Sequence, residues 1–267
     1  HDHAMNINWE YVLVGFIVGT CTAYSGVGAG AITTPLLIFL QVPTSTAIGS
    51  DLLFALGTRV VAMIAHLQRR TVQWSVLWRL ALGGLPGACL GVIVSAYLHN
   101  HLEIKTLEHV LRIAVAIALL VSAAGIIFNR KLAGDGPGKN SAEMPTTRLA
   151  LIGFFVGLSV SVTSIGAGSM MLPLLLLAAP AVALRRLVGT DLAFAVVVLV
   201  PSLLGHWRIG DVNTSIAASL LMGSIPGVFL GSFFVTKLPE RWFRGALAGV
   251  LVVVALALLP IVPHLKG

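Results

Sequence analysis

Two stretches of the chain carry residue types suited to holding an anion: Tyr24-Ser-Gly-Val-Gly-Ala-Gly-Ala-Ile-Thr-Thr-Pro35 and Val162-Thr-Ser-Ile-Gly-Ala-Gly-Ser-Met-Met-Leu-Pro173. Each places a glycine-rich break inside an apolar run and follows it with a short apolar segment containing proline. Glycine reaches the positive-φ geometries such a break needs and lets a ligand or another backbone approach closely. Half-helices starting near Gly28–Gly30 and near Gly166–Gly168 would each point free amides and the positive end of a helix dipole out of their starts. Ser25, Thr33, Thr34, Thr163, Ser164 and Ser169 would add hydroxyl donors around Gly26, Gly28, Ala29, Gly30, Gly166, Ala167 and Gly168. The alternative reading of the same small residues is close helix packing alone.

Ionisable residues inside apolar runs form a second set. Asp51 and Asp191 would face the protein interior or a water-filled cavity, since a carboxylate at membrane depth costs about 2.5–3.5 kcal/mol on insertion scales. A plainer role for Asp51 is an acid near the first turn of its helix, favoured there by the dipole. Asp51 and His66 fall within about 60° on one helix face yet about 22 Å apart, so they cannot touch. Opposed repeats would instead set Asp51 at the depth of His206 and Asp191 at the depth of His66, as gating or proton-coupling pairs. Interfacial histidines without such a role are the bland alternative. Arg59 faces Leu199 in the repeat alignment and would bind the anion or pair with Asp51. Cys21, whose counterpart is Ser159, reads as packing, and neither it nor Cys89 suggests a disulfide or metal site.

The elements that must position these residues are membrane segments. The chain is 57% hydrophobic and 10% charged, against about 25% charge in a soluble domain. Apolar runs fall at 9–24, 27–41, 46–67, 74–98 and 107–129, and again at 148–164, 167–180, 188–206, 215–236 and 242–262. The halves repeat: Gly15, Gly19, Gly28, Gly30 and Pro35 match Gly153, Gly157, Gly166, Gly168 and Pro173. Gly49, Asp51, Phe54, His66, Gly83, Pro86 and Gly87 match Gly189, Asp191, Phe194, His206, Gly223, Pro226 and Gly227. Shared leucine content would not produce that set.

The net charge of +7 forms no basic face for nucleic acid; the cations lie in short loops and read as topology signals. Loops holding Arg69-Arg70, Arg130-Lys131 through Arg148, Arg185-Arg186, and Lys237, Arg241 and Arg244 are expected in the cytoplasm, which flips every equivalent loop and leaves both termini outside. The expected fold is an all-α polytopic membrane protein of two inverted-topology repeats of about five hydrophobic segments, each with a broken re-entrant helix pair. Residues 1–5 read as a tag remnant, 6–129 as the first membrane repeat, 130–147 as a cytoplasmic linker and 148–267 as the second repeat. The run after the tag leads straight into the repeated motif, which argues against a cleaved signal peptide. Trp9, Tyr11, Trp74, Trp78, Tyr97, Trp207 and Trp242 fall where an aromatic belt would lie.

Both Gly-rich motifs, the Gly-Ser-Asp51 and Gly-Thr-Asp191 motifs and the His206-Trp-Arg-Ile-Gly-Asp-Val212 turn resemble the TauE/SafE sulfite exporter family. The resemblance covers nearly the whole chain and implies a bacterial inner-membrane permease moving sulfite, sulfonates or related small anions, mostly outward. Ala29 and Ala167 stand where the family motif often has a middle glycine. The expected partners are a small inorganic or organic sulfur anion and the lipid bilayer, with no nucleic acid, no cofactor and no metal; a homodimer is the oligomer considered. The expected mechanism is alternating access, the repeats rocking about an anion held between the half-helix starts. The rivals are an anion channel, an uptake permease for thiosulfate or sulfoacetate, and an intramembrane enzyme. No HExxH or GxSxG spacing supports the enzyme, and no nucleotide-binding motif supports direct ATP drive.

Overall fold

A computed structural model describes residues 7–25, 29–132, 145–178, 182, 184–234 and 240–259. Residues 1–5, Gly26, Gly28 and most of the expected linker lie outside these. The described residues form helices α1 (Trp9–Ser25), α2 (Gly30–Phe39), α3 (Thr44–Gln68), α4 (Trp74–His101), α5 (Ile104–Leu132), α6 (Thr146–Thr163), α7 (Met171–Ala178), α8 (Leu184–Ile209), α9 (Thr214–Phe234) and α10 (Glu240–Leu258), with no strand among them. Five stretches are long and apolar enough to cross a membrane: Thr44–Gln68, Trp74–His101, Ile104–Gly125, Thr146–Thr163 and Arg185–Ile209. The short helices α2 and α7 are about 15 and 12 Å long, against a hydrocarbon core of about 30 Å. One expectation shifts here: α6, read from sequence as half of a re-entrant pair, has the length and hydropathy of a full crossing.

Helix starts follow local chemistry. The Thr44 amide donates to both Glu108 carboxylate oxygens at 2.9 Å, so a side chain from α5 caps α3. Asn213 Oδ1 accepts from Ser215 and Ile216 at the start of α9, the usual service of an Asx cap. At the end of α8, Gly210 takes φ 91°, and the amides of Gly210 and Asp211 both return to the His206 carbonyl. That left-handed residue turns the chain back on itself.

Helices pack in matched pairs drawn from both halves of the chain. α1 lies along α9 and α4 along α6, while α3 crosses α8 and α5 packs on α10. Four reciprocal glycine contacts make the first two pairs. A Cβ at Gly15 or Gly19 would meet the backbone of Leu220 or Ser224, and one at Gly223 or Gly227 that of Val12 or Phe16. Gly153 and Gly157 stand equally close to Leu80 and Gly84, and Gly83 and Gly87 to Ala150 and Phe154. Residue numbers rise together along both partners, so each pair is parallel. Small-xxx-small spacing gives this backbone approach in a bilayer, where apolar burial alone does not drive helices together.

α3 and α8 run antiparallel, as two hydrogen bonds at opposite ends establish. Ser50, near the start of α3, accepts from the Asn213 amide just past α8, at 3.0 Å. Thr190, near the start of α8, accepts from the Gln73 amide just past α3, at 2.9 Å. These bonds also gather the expected basic clusters. Arg69, Arg70, Arg148, Arg185 and Arg186 lie at the end marked by the α3–α4 turn, and the opposite end carries the α8–α9 turn. The flanks expose Leu82, Ile93, Phe155, Leu204 and Phe229, a surface suited to lipid rather than water. Trp9, Trp74, Trp78, Tyr97 and Trp207 are exposed near helix ends, where aromatic side chains bridge apolar core and headgroup.

Candidate functional site: the junction of the two breaks

The start of α2 meets the second glycine-rich break. α2 starts at Gly30, within the expected range, and its N-cap residue Ala29 makes no side-chain capping bond. A Cβ at Gly30 would collide with the Ser164 carbonyl oxygen of the other break and come within 3.0 Å of Asp51 Oδ2. Only glycine lets the two backbones lie that close.

The second break is longer than expected. α7 starts at Met171 rather than at Gly166–Gly168, because Ser164 (φ 60°), Gly166 (φ 147°) and Gly168 (φ 85°) each take positive φ. Three such residues cannot continue into a helix. Turn bonds from the Met170 and Met171 amides to the Gly166 carbonyl close this segment.

Most of the expected hydroxyl donors point elsewhere. Thr33 donates to the Ala29 carbonyl and Thr163 to the Ser159 carbonyl, while Ser122 donates to Ser169 at 3.0 Å. Thr34 points inward and donates to Asp51 Oδ2 at 2.8 Å. Ser164 lies beside the Asp51 carboxyl, yet neither its hydroxyl nor Asp51 Oδ1 makes a hydrogen bond. The side chain of Ser25 lies outside the described residues.

Asp51 is fully buried and seven residues into α3, so it does not serve the helix start; Glu108 does. Asp191 is buried as well, but its oxygens are engaged. Oδ1 accepts from the Gly168 amide at 3.2 Å and Oδ2 lies 3.8 Å from the Arg59 guanidinium. Arg59 also donates to the Ala167 carbonyl at 3.0 Å. The close pairing expected of Arg59 with Asp51 is thus made with Asp191 on α8. The half-buried Arg59 guanidinium pairs with Asp191, and that internal carboxylate occupies the Gly168 amide that was expected to face a ligand.

The histidines bond away from the two aspartates. His206 Nδ1 meets Asp211 Oδ2 at 3.1 Å and Nε2 meets the Ser161 carbonyl at 2.9 Å, with His99 Nδ1 3.9 Å from Asp211 Oδ1. His66 Nδ1 meets Thr71 Oγ1 at 2.8 Å. In place of Asp51–His206 and Asp191–His66 pairs, each histidine closes on the turn that follows its own helix. The Ser50–Asn213 and Thr190–Gln73 bonds set the start of each of these helices beside the end of the other. Asp211 is the functional candidate that sequence reasoning passed over; its position five residues after His206, across a glycine, was the available signal.

Comparison with known proteins agrees with a membrane carrier. The family model "Sulfite exporter TauE/SafE" matches residues 11–258. A probable membrane transporter protein of Bacillus subtilis, YjnA, is 30% identical over 93% of this chain and 98% of its own length. A second from the same organism, YunE, is 27% identical over 86% of this chain and 89% of its own. No solved structure matches the chain. With the match running from α1 into α10, the chain belongs to the TauE/SafE family of membrane transporters.

Proposed function

We propose that the protein exports sulfite or a related small sulfur oxyanion or organosulfonate across the bacterial inner membrane, by alternating access about an anion held where the breaks meet. The observation that carries this reading is the contact of Gly30 with Ser164. It brings the uncapped start of α2 against the irregular backbone of the other half. Backbone of that kind at membrane depth is tolerated where it is enclosed by protein or lines a cavity, and transporter sites are built from such half-helix ends. The arrangement favours α2 as the anion-facing tip, because the Gly168 amide already serves Asp191.

Inverted repeats are the second part of the proposal. Equivalent helices α3 and α8 run antiparallel, and the α1–α9 contacts reappear as α6–α4 contacts. Both facts are what an axis in the membrane plane would produce. The basic end is read as cytoplasmic, which leaves the start of α1 and the end of α10 periplasmic. Asp51, Asp191, His66 and His206 are read as gating or proton-coupling groups, with Arg59 fixing the local charge.

Purified protein in liposomes should accumulate or release labelled sulfite without altering it chemically. Gly30→Ala, which inserts a methyl group between the breaks, should lower the transport rate at least tenfold in a folded protein. Undiminished transport by that variant would remove the breaks from the pathway.

A further inference from the structure

The two central aspartates occupy equivalent repeat positions but different electrostatic situations. Asp191 has an amide and a guanidinium. Asp51 is met by hydroxyls: Thr34 donates to Oδ2 at 2.8 Å and Ser164 lies beside the carboxyl, with Oδ1 buried and making no hydrogen bond. Beside it the buried Ser164 hydroxyl is also unpartnered. A buried polar atom without a partner is costly, and a buried charge without one far more so. A hydrogen on Oδ1 directed at Ser164 Oγ, or the Ser164 hydroxyl turned toward an ionised Oδ1, satisfies both orphans, so the two states differ by one charge rather than by one hydrogen bond. Arg59 offsets one carboxylate, so the pair Asp51 and Asp191 leaves one negative charge unbalanced.

Neighbouring elements supply no other counter-charge. α2 and α9, both packed on α3, contain no titratable side chain. α5 contributes Glu108, engaged at the Thr44 amide about two turns away and 3.9 Å from Arg112, with Lys105 and His109 in the same first turns of that helix. From α8 the groups are Asp191 and, toward the ends of that helix, Arg185, Arg186, His206 and Arg208. On α3 itself the others are Arg59 and His66, with His66 turned to Thr71.

We propose that Asp51 takes up one proton when an anion binds at the start of α2, so that proton and anion occupy the centre together. This rests on the anion-site reading above. The step is an acid–base transfer: a proton from water forms an O–H bond at Oδ1, and no other bond breaks. An ionised Asp51 lies beside Gly30 and competes with the incoming anion for the dipole and amides of α2. Protonation removes that rival charge as the guest brings its own, so with a monovalent anion the net charge of the centre stays constant. Asp191, held by Gly168 and Arg59, keeps its charge through the exchange, which leaves it the gating role of the two read above. The two carboxyls divide the work: one fixed, one exchanging.

Proton uptake on adding thiosulfate to wild-type protein in weakly buffered detergent, read with a pH dye, should approach one proton per bound anion. The infrared band of a protonated carboxyl should grow on the same addition, and this growth should be missing in Asp51→Asn. Thiosulfate affinity should tighten about tenfold per unit fall in pH where Asp51 exchanges its proton. It should be independent of pH in Asp51→Asn and weaker but still pH-dependent in Asp191→Asn. Anion binding without proton uptake by the wild type, or a retained slope or band in Asp51→Asn, overturns the proposal and spares the anion site. Failure of thiosulfate, sulfite, sulfate and a short-chain alkylsulfonate to bind at any pH overturns the anion site and this proposal with it.

Discussion

Arg59 ties together three chain segments that meet nowhere in sequence: its own helix, the second glycine break through the Ala167 carbonyl, and α8 through Asp191. Removing one member of a buried ion pair leaves the other charge exposed to low dielectric at a cost of about 3–5 kcal/mol. Arg59→Met should therefore lower the thermal stability of the detergent-purified protein by that order. The double variant Arg59→Met/Asp191→Asn should recover most of it, which a calorimetric cycle of the four proteins would read. A smaller loss is expected at the α8–α9 turn: Asp211→Ala strands a His206 nitrogen and should cost about 1–3 kcal/mol. The sequence exposed Asp51, Asp191 and Arg59 as costly groups in apolar surroundings, and all three do converge on the breaks. It did not expose which carboxyl Arg59 chooses. Angles around one helix rank neighbours on that helix only, and the nearer partner stands on α8.

At the level of elements, the glycines at 15, 19, 83, 87, 153, 157, 223 and 227 fix distances between axes. Gly83→Leu would drive its first carbon into the Ala150 carbonyl, and overpacking of that kind costs about 1–3 kcal/mol or more. Gly249→Leu, in α10 where a Cβ meets nothing within 4 Å, should be neutral or stabilising by up to about 1 kcal/mol. Comparing the two by thermal unfolding separates lost packing from any general intolerance of leucine. The repeat of these glycines was plain in the sequence, and the helix boundaries lie close to the apolar runs. The pairing of each four-residue glycine step with a helix from the other half was not, because one chain's spacing names a surface without naming its mate. The late start of α7 escaped for a related reason. Glycine permits both a helical and a left-handed backbone, and bonds from outside the segment, such as that of the Gly168 amide to Asp191, favour the latter here.

For the molecule as a whole, orientation is the property most open to test. Single cysteines introduced at Arg70 and at Asn100 in a background lacking Cys21 and Cys89 should be labelled from opposite sides of sealed vesicles, Arg70 from the cytoplasmic side. Labelling of both from one side would refute the reading of charge as topology. The interleaved partnership of α1 with α9 and α4 with α6 carries one more consequence. Neither half is a self-sufficient body, since each lends its first and fourth helices to the other, like two hands with fingers interlocked. A protease cut between residues 133 and 144 should leave two fragments that co-purify, while either fragment made alone should be degraded. Any motion that carries cargo must then move bodies assembled from both halves of the chain, and the seam that opens runs between those blended bodies.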